Sequence, residues 1–564
     1  MPRTLVIQLG RIGDVIQTTP LLPELAASGD EVDVLVLHSA HTALLGCPAI
    51  ANIVTISDAL KPLDDAIACG FPHGKIPTEA GELLAGLQLP RYDRVVQASH
   101  APIGCWLAGE ISCANPHARY GGIIRSGECL YFGAASVYRV AMLQFREQNL
   151  FNLVDLIRAI PGIPPQSAQP RLYANQSSEP PFALPRGRKV ALNPGASEAA
   201  RCWPAENFSR LAEALSTAGF VPLLVGAPSD RERSEMIAAA ANVAIPNFAG
   251  RTTVPEMAAL LARCELLVSS DTGAAHLAAA VGTKVVGLYG SNAWFAETAP
   301  YGDDQVILQT PLNAPMSAIS VDVVIAAALN RLNRLSTIDF HRELHIRNQS
   351  AWETSIQPPS ASDPLGGLTY RPLHRDSLTS DELFAKSLRQ SFAMEFVAEI
   401  PTSPEATEAL HVKSDRGCEL HSLARILDHL QAVANTCADS IRNRAASLEL
   451  ANAASALAST MEKLRALATE PMWRSLRPVI HDLDWQLRML PPQNPDATLR
   501  AFAQAYASAA RILLRANADA PQHSIADEKI NGKGSNDARK KEGGQVPHSV
   551  RIQAPARQRG SVSP

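Results

Sequence analysis

The feature that most constrains the fold is an alternation of short apolar runs with helical patterns over the first 335 of the 564 residues. Several runs are apolar at every position, as in parallel strands that helices cover on both faces. The predicted strands are 5–9, 32–37, 94–97, 189–193, 221–225, 266–269 and 284–289. This alternation is typical of doubly wound α/β structure.

Composition shifts divide the chain into predicted regions. The stretch 161–185 is rich in Pro, Gln and Ser, which indicates a connection between two Rossmann-like units that share a ligand cleft. Beyond these units, a polar stretch rich in Pro and Ser predicts a linker. Leucines at three- and four-residue spacing then predict helices. The polar last segment of the sequence predicts disorder. The predicted regions are 1–165, 186–335, a linker 336–379, a helical extension 380–520 and a disordered tail 521–564.

Composition and charge exclude several classes of protein. A net charge of −4 and a pI of about 6.4 argue against a nucleic-acid partner. The nine cysteines contain no CxxC pair, so no zinc site is predicted and we expect reduced thiols in a cytoplasmic protein. The opening MPRTLVIQLG does not resemble a signal peptide, and no run of 18 apolar residues predicts a transmembrane helix. Any membrane contact is therefore expected to be peripheral.

The first motif, QLGRIGDVIQTTPLL from Gln8, runs from a strand through a glycine turn into a helix. This turn lies at the carboxyl end of the strand, where α/β folds bind ligands. Asp14 in the first helical turn has two interpretations: a general base for an attacking hydroxyl, or a carboxylate that caps the helix. Gly10 and Gly13 do not complete a GxGxxG turn, which disfavours a dinucleotide-dependent oxidoreductase.

The second motif, LNPGASEAARCWP from Leu192, places a small-residue loop and a cation after a buried strand. Small residues such as Gly195 let backbone amides approach a phosphate, Ser197 can donate a hydrogen bond, and Arg201 can pair with a diphosphate. An ordinary strand-to-helix loop with a surface arginine explains the same residues.

The third motif, SSDTGAAHLAAAVGT from Ser269, predicts a helix capped by Asp271. The amides of Thr272, Gly273 and Ala274 would form an anion site at its amino terminus. We assign His276 an orienting role and not proton transfer. In a fourth segment, a strand ends in a turn at Gly290, which could support a nucleotide. By itself this segment is weak evidence for a nucleotide site.

Taken together, these segments resemble the heptosyltransferase family, glycosyltransferase family 9, over about residues 3–335. The resemblance implies a GT-B fold of two facing Rossmann-like domains, with the acceptor on the first and the nucleotide sugar on the second. It implies an inverting, metal-independent transfer from ADP-heptose to a lipopolysaccharide-core or similar glycan in bacteria. Asp14 matches the family's general base, in the acceptor loop with Gly13. The family often has Lys where this chain has Arg201.

These inferences give a site, its ligands and one alternative. The donor-binding candidates are Gly195, Ser197, Arg201, Asp271, Thr272, Gly273 and His276. No cofactor or metal is expected; the expected partners are a nucleotide-diphosphate sugar and a lipid-linked or glycan acceptor at the inner membrane. The alternative is a non-catalytic nucleotide-sugar-binding or scaffolding protein that binds a protein partner through its helical extension. The basic residues His100, His117, Arg119, Arg125, Arg139 and Arg146 are interpreted as scattered surface charge, although some could contact a phosphorylated acceptor.

Overall fold

A computed structural model describes residues 1–393 except for short gaps. The gaps are 69–77, 116–117, 126–127, 143–145, 147–148, 164–165, 167–168, 174–181, 291–292, 312, 362, 375–388 and 391. The predicted helical extension and disordered tail lie outside the described residues, apart from positions 389, 390, 392 and 393. None of the described helices combines the length and the apolar character that a membrane crossing requires.

The first half of the chain forms a six-stranded sheet of order β3-β2-β1-β4-β5-β6. Its strands are β1 (Arg3–Gln8), β2 (Glu31–Leu37), β3 (Ile50–Ile56), β4 (Arg94–Gln97), β5 (Arg119–Arg125) and β6 (Glu128–Phe132). They are parallel except for β6, which pairs antiparallel with β5. The accompanying helices are α1 (Ile12–Thr18), α2 (Leu21–Ala27), α3 (Lys61–Ala68), α4 (Thr78–Gly86), α5 (Pro102–Glu110), α6 (Ala134–Ala141) and α7 (Leu153–Ala159).

The second half forms a seven-stranded sheet of order β13-β12-β11-β10-β9-β7-β8. Its strands are β7 (Lys189–Asn193), β8 (Val221–Leu224), β9 (Leu266–Ser270), β10 (Lys284–Tyr289), β11 (Val306–Gln309), β12 (Ser350–Gln357) and β13 (Gly367–Pro372). The helices are α8 (Ala205–Thr217), α9 (Arg231–Ala240), α10 (Val254–Leu261), α11 (Gly273–Ala280), α12 (Phe295–Thr298), α13 (Val321–Arg331) and α14 (Thr337–Ile346). In α8 the apolar stripe of Phe208, Leu211 and Leu215 is fully buried against the sheet.

The predicted fold class is confirmed, since two largely parallel sheets are each flanked by helices. All seven predicted strands are present, with ends that differ by at most two residues. Their central residues, such as Leu5, Val6 and Ile7, have no exposed surface, as expected for strands covered on both faces.

The predicted linker 336–379 is wrong for the part that the structure describes. Residues 337–346 form α14, and β12 and β13 form an antiparallel hairpin that extends the second sheet from β11. Trp352 of β12 stacks on Phe295, with ring centroids 4.2 Å apart. The polar composition reflects strands at the end of the sheet, most of whose residues are only partly buried, and not a loose connection. A truncation that keeps this sheet whole must therefore end after the hairpin.

Helix α7 fastens the first half of the chain to the second. Asn152 caps it by accepting from the Val154 amide at 3.1 Å, and donates to the Ala299 carbonyl oxygen at 3.0 Å. The buried Asp155 accepts from the Tyr301 hydroxyl at 2.7 Å and from the Leu368 amide at 3.1 Å. These contacts hold the first sheet's half against the second, next to helix α1, against which α7 packs.

Candidate active site

Asp14 lies at the start of α1, where the structure accommodates both interpretations of its carboxylate. Oδ2 accepts a hydrogen bond from the Arg11 backbone amide at 2.8 Å, as a helix-capping carboxylate does. The other oxygen, Oδ1, has no hydrogen-bond partner among the described residues, and the side chain is half-buried. One oxygen is therefore held in place while the other is available to a substrate.

Two glycines bring the start of α1 against the start of α11. A Cβ atom on Gly13 would lie 3.1 Å from Cδ2 of His276 and 3.4 Å from Cα of Gly273. A Cβ atom on Gly273 would lie 2.9 Å from Cγ2 of Ile12. Glycine at 13 and 273 thus permits the close approach of the two helix ends. Asp14 lies beside the 271–276 turn and not on a remote surface.

Arg201 and Asp271 form an ion pair within the second half. Nη2 of Arg201 donates to Oδ2 of Asp271 at 2.5 Å and to the Asp271 carbonyl oxygen at 2.6 Å. Burial raises the pKa of the Asp271 carboxyl, and Arg201 opposes that shift. The predicted helix cap is corrected here: Thr272 is the cap residue of α11, and the Asp271 carboxylate faces Arg201.

The amino terminus of α11 remains open. The amides of Thr272, Gly273 and Ala274 have no acceptor among the described residues. The Thr272 hydroxyl accepts from Nδ2 of Asn193 at 2.9 Å and lies 3.0 Å from the Ser269 hydroxyl, which ties the turn to β7 and β9. Such an end binds anions well because its amides point outward and the helix dipole favours negative charge.

Packing within the protein, and not only ligand binding, accounts for the residues of the loop after β7. A Cβ atom on Gly195 would lie 2.1 Å from Cγ of Asp230, so this contact alone requires glycine there. The Ser197 hydroxyl accepts a long hydrogen bond of 3.4 Å from Nη1 of Arg201, which places both residues on one loop. At Gly290, a Cβ atom would lie 2.7 Å from Sδ of Met316, so packing also accounts for that glycine.

His276 lies one turn into α11 with 7% of its surface exposed. Its Nε2 is 3.9 Å from Oδ1 of Asp271. Burial lowers the pKa of His276 to about 4, with Arg201 lowering it and Asp14 raising it. The imidazole is therefore neutral near pH 7, which suits an orienting hydrogen bond; this role remains a prediction.

The buried neutral imidazole predicts that stability falls on acidification. The unfolded chain binds a proton at His276 near pH 6.5 and the folded chain only near pH 4, so stability is lost as pH falls between these values. The loss is about 3 kcal/mol at about 1.4 kcal/mol per pKa unit. The free energy of unfolding by urea should fall less between pH 7 and pH 4.5 for His276→Gln than for the wild type.

The exposed His345 offers a matched control, since His345→Gln should lose as much stability as the wild type. Equal losses in the wild type and in His276→Gln would contradict a buried neutral His276.

The interpretation of the basic residues as scattered surface charge is wrong for two of them. Arg119 is 6% exposed and Arg139 is 9% exposed. Arg146 is exposed and forms an ion pair across the cleft with Glu297, at 3.4 Å between Nε and Oε2. His117 lies outside the described residues. In the sequence of α6, Arg139 stands between apolar neighbours. This pattern could have indicated that the Arg139 side chain is buried.

Glu297 of α12 was missed by the sequence analysis. Its side chain is 13% exposed and its pKa is raised by burial, against the effects of Arg146 and Arg139. It lies 14 residues beyond the end of the third motif, so no local pattern connects it with the other site residues. Among the described residues, no group of three or more His, Cys, Asp or Glu side chains is arranged to hold a metal ion.

Comparison with known proteins supports the resemblance found in the sequence. Residues 146–319 match the model of glycosyltransferase family 9 (heptosyltransferase). This segment of the chain is therefore similar to the family 9 glycosyltransferases. The family recognised from the sequence motifs is confirmed, and with it the assignment to glycosyltransferase enzymes.

Three known proteins illustrate what the chain is similar to. Lipopolysaccharide heptosyltransferase 3 of Escherichia coli is 22% identical over 295 residues, which cover 50% of this chain and 81% of the relative. Lipooligosaccharide heptosyltransferase 2 of Haemophilus influenzae is 34% identical over 125 residues, covering 21% of this chain and 36% of the relative. The crystal structure of the family 9 glycosyltransferase from Veillonella parvula has a TM-score of 0.46 at 19% identity, covering 59% of this chain and 97% of that one.

Proposed function

We propose that this chain transfers heptose from ADP-heptose to a hydroxyl of a lipopolysaccharide-core or similar glycan, with inversion and without a metal ion. The observation that carries the proposal is the contact between Gly13 and Gly273, which sets Asp14 beside the open amino terminus of α11. The heptose and the lipopolysaccharide acceptor come from the names of the relatives, and the ADP carrier is what the resemblance of the sequence motifs implies. The reaction would take place in the cytoplasm, with peripheral contact to the inner membrane.

The proposed mechanism uses one carboxylate from the first half and cationic groups from the second. Oδ1 of Asp14 removes the proton of the acceptor hydroxyl while the hydroxyl oxygen attacks the anomeric carbon of the donor sugar. The bond between that carbon and the diphosphate oxygen breaks on the opposite face, which inverts the configuration. Negative charge grows on the departing diphosphate.

Arg201 and the three amides at the start of α11 would stabilise that charge. Only Nη2 of Arg201 is held by Asp271, and its Nε has no hydrogen-bond partner among the described residues. Donors that are fixed before the reaction stabilise a developing anion strongly because they need no reorganisation. This electrostatic contribution is the one that a metal ion provides in other transferases.

The direct test is incubation of the full chain with ADP-heptose and a heptose-deficient lipopolysaccharide core. Product formation that persists in EDTA, with the anomeric configuration opposite to that of the donor, is the expected result. A product of retained configuration would overturn the mechanism. No product with any nucleotide sugar would favour the non-catalytic alternative.

Replacing Arg201 by methionine is expected to reduce the transfer rate by about 10²–10³-fold, as for the loss of one oxyanion donor. Arg201→Lys should recover part of the rate, since it keeps the charge but loses the planar fork. The measurement is kcat/KM for the donor together with the dissociation constant of ADP.

Arg210→Met is the matched control, because Arg210 is exposed and paired with Asp322 away from the cleft. The melting temperature of Arg201→Met must also be recorded, since Asp271 loses its partner. An unchanged kcat/KM in a folded Arg201→Met variant would remove Arg201 from the mechanism.

A further inference from the structure

Gln8 is a buried polar side chain at the carboxyl end of β1, immediately before the turn that leads to Asp14. It is 1% exposed, and both ends of its carboxamide are hydrogen-bonded. Oε1 accepts from the Gly10 amide at 3.0 Å, and Nε2 donates to the Thr18 hydroxyl at 2.8 Å. A buried carboxamide needs partners for stability alone. These two partners, however, lie on either side of Asp14 in the chain, so Gln8 connects the turn before it with the helix after it.

The connection through Thr18 ends on Asp14 itself. Thr18 is 2% exposed, and its hydroxyl donates to the Asp14 carbonyl oxygen at 2.9 Å. Nε2 of Gln8 also lies 3.5 Å from that oxygen. The backbone of Asp14 is therefore held by two side chains that are shielded from water.

The connection through Gly10 holds the turn against the Asp14 carboxylate. A Cβ atom on Gly10 would lie 2.7 Å from both Cβ and Oδ2 of Asp14, so the turn passes as close to this side chain as a glycine allows. The following amide, that of Arg11, donates to Oδ2 at 2.8 Å. The position of the turn thus determines that Oδ2 is bound and that Oδ1 is the oxygen left for a substrate.

We propose that Gln8, acting through Thr18 and the Gly10 amide, is a positioning residue that orients the Asp14 carboxylate for proton removal. This rests on the proposed function, because it takes Asp14 as the base. A displacement of about 1 Å in a reacting group can cost about 10²-fold in rate. The candidate donor-binding groups, Arg201 and the amides of α11, lie in the second half of the chain, so donor affinity should not depend on Gln8.

The kinetic test replaces Gln8 by methionine, which is also unbranched but cannot make these hydrogen bonds. We expect kcat to fall about 10–100-fold, with KM for the donor and the dissociation constant of ADP unchanged. Gln305→Met is the matched control. Gln305 is 4% exposed, accepts from the Val285 amide and donates to the Asp303 carbonyl oxygen at 3.1 Å, at the amino end of β11. Its loss should lower the melting temperature to a similar extent and leave kcat at the wild-type value.

Thr18 offers a conservative pair of variants. Thr18→Val keeps the branched shape and removes the hydroxyl that joins Gln8 to the Asp14 carbonyl oxygen, whereas Thr18→Ser keeps a hydroxyl. We expect Thr18→Val to lower kcat and Thr18→Ser to stay close to the wild type. The double variant Gln8→Met/Thr18→Val should lose less than the product of the two single effects, because both substitutions break the same connection.

A measurement without turnover tests the same point. Hydrogen–deuterium exchange, resolved to single amides, reports on the Arg11 amide, whose partner is Asp14 and not Gln8. We expect this amide to exchange faster in Gln8→Met and in Thr18→Val, and at the wild-type rate in Gln305→Met and in Thr18→Ser. Unchanged exchange in Gln8→Met would show that the carboxylate keeps its place without Gln8, and the proposal would be overturned.

The kinetic results can also overturn the proposal. Equal kcat values for Gln8→Met and Gln305→Met would show that Gln8 serves stability alone, and a raised donor KM at unchanged kcat would place its effect on the donor. Absence of transfer by the wild type would count against the proposed function instead. In that case the exchange rate of the Arg11 amide still decides whether Gln8 positions Asp14.

Discussion

Asp14→Asn should reduce sugar transfer by about 10²–10⁴-fold, the range for loss of a general base, while ADP binding stays at the wild-type level. The side-chain oxygen of asparagine can still accept from the Arg11 amide, so the helix start is preserved. What the substitution removes is the basicity of Oδ1, the oxygen that has no partner among the described residues. Initial rates at saturating donor, with ADP affinity measured in parallel, give the result.

Asp339→Asn is the matched control, since Asp339 lies in the first turn of α14 and its amide donates to the Ser336 hydroxyl. Its transfer rate should equal that of the wild type. Full turnover by Asp14→Asn would leave Asp14 as a capping residue alone and would require another base.

The second large effect concerns stability. Arg158 is 2% exposed and donates from Nε and Nη2 to Oε1 of Glu24, at 2.9 Å and 2.6 Å, and also to the Gln166 carbonyl oxygen. Arg158→Met leaves Glu24, which is 3% exposed, as a buried carboxylate without its cation. Removal of one partner of a buried pair costs about 3–5 kcal/mol. We expect the free energy of unfolding by urea at pH 7 to fall by that amount.

Two further variants test this explanation. The double variant Glu24→Leu/Arg158→Met should recover most of the loss, because Glu24 is gone and Asp155, which lies 3.7 Å from Arg158, keeps its pair with Arg389 at 3.5 Å. Arg210→Met breaks an exposed pair with Asp322 and should change stability by less than about 0.5 kcal/mol. A double variant as unstable as Arg158→Met would show that packing, and not the unpaired Glu24, causes the loss.

The predicted strands and site motifs were recovered from the sequence because each depends on neighbouring residues. A run such as Val190 to Leu192 is apolar throughout since both faces of its strand are covered, and that pattern is local. The glycines at 13 and 273 mark the turns correctly. Their contact with each other spans 260 positions of the chain, so no sequence pattern could reveal it.

The errors share one physical origin, which is that burial is decided by distant parts of the chain. Strands β12 and β13 lie at the end of the sheet and are largely half-buried, and their polar residues therefore suggested a linker. Arg139 was interpreted as surface charge, but α6 packs against the sheet and the arginine is buried there. The Asp271 carboxylate pairs with Arg201, 70 positions away, where the local pattern suggested a helix cap.

The sequence by itself determined two α/β halves, the turns that carry the candidate site and the resemblance to glycosyltransferase family 9, because these depend on short-range patterns of residue type. Tertiary structure alone decided which charges meet. It set Asp14 beside the α11 turn and closed the Arg201–Asp271 pair. Electrostatic energies depend on distance and on exclusion of water, and neither is defined until the chain has folded.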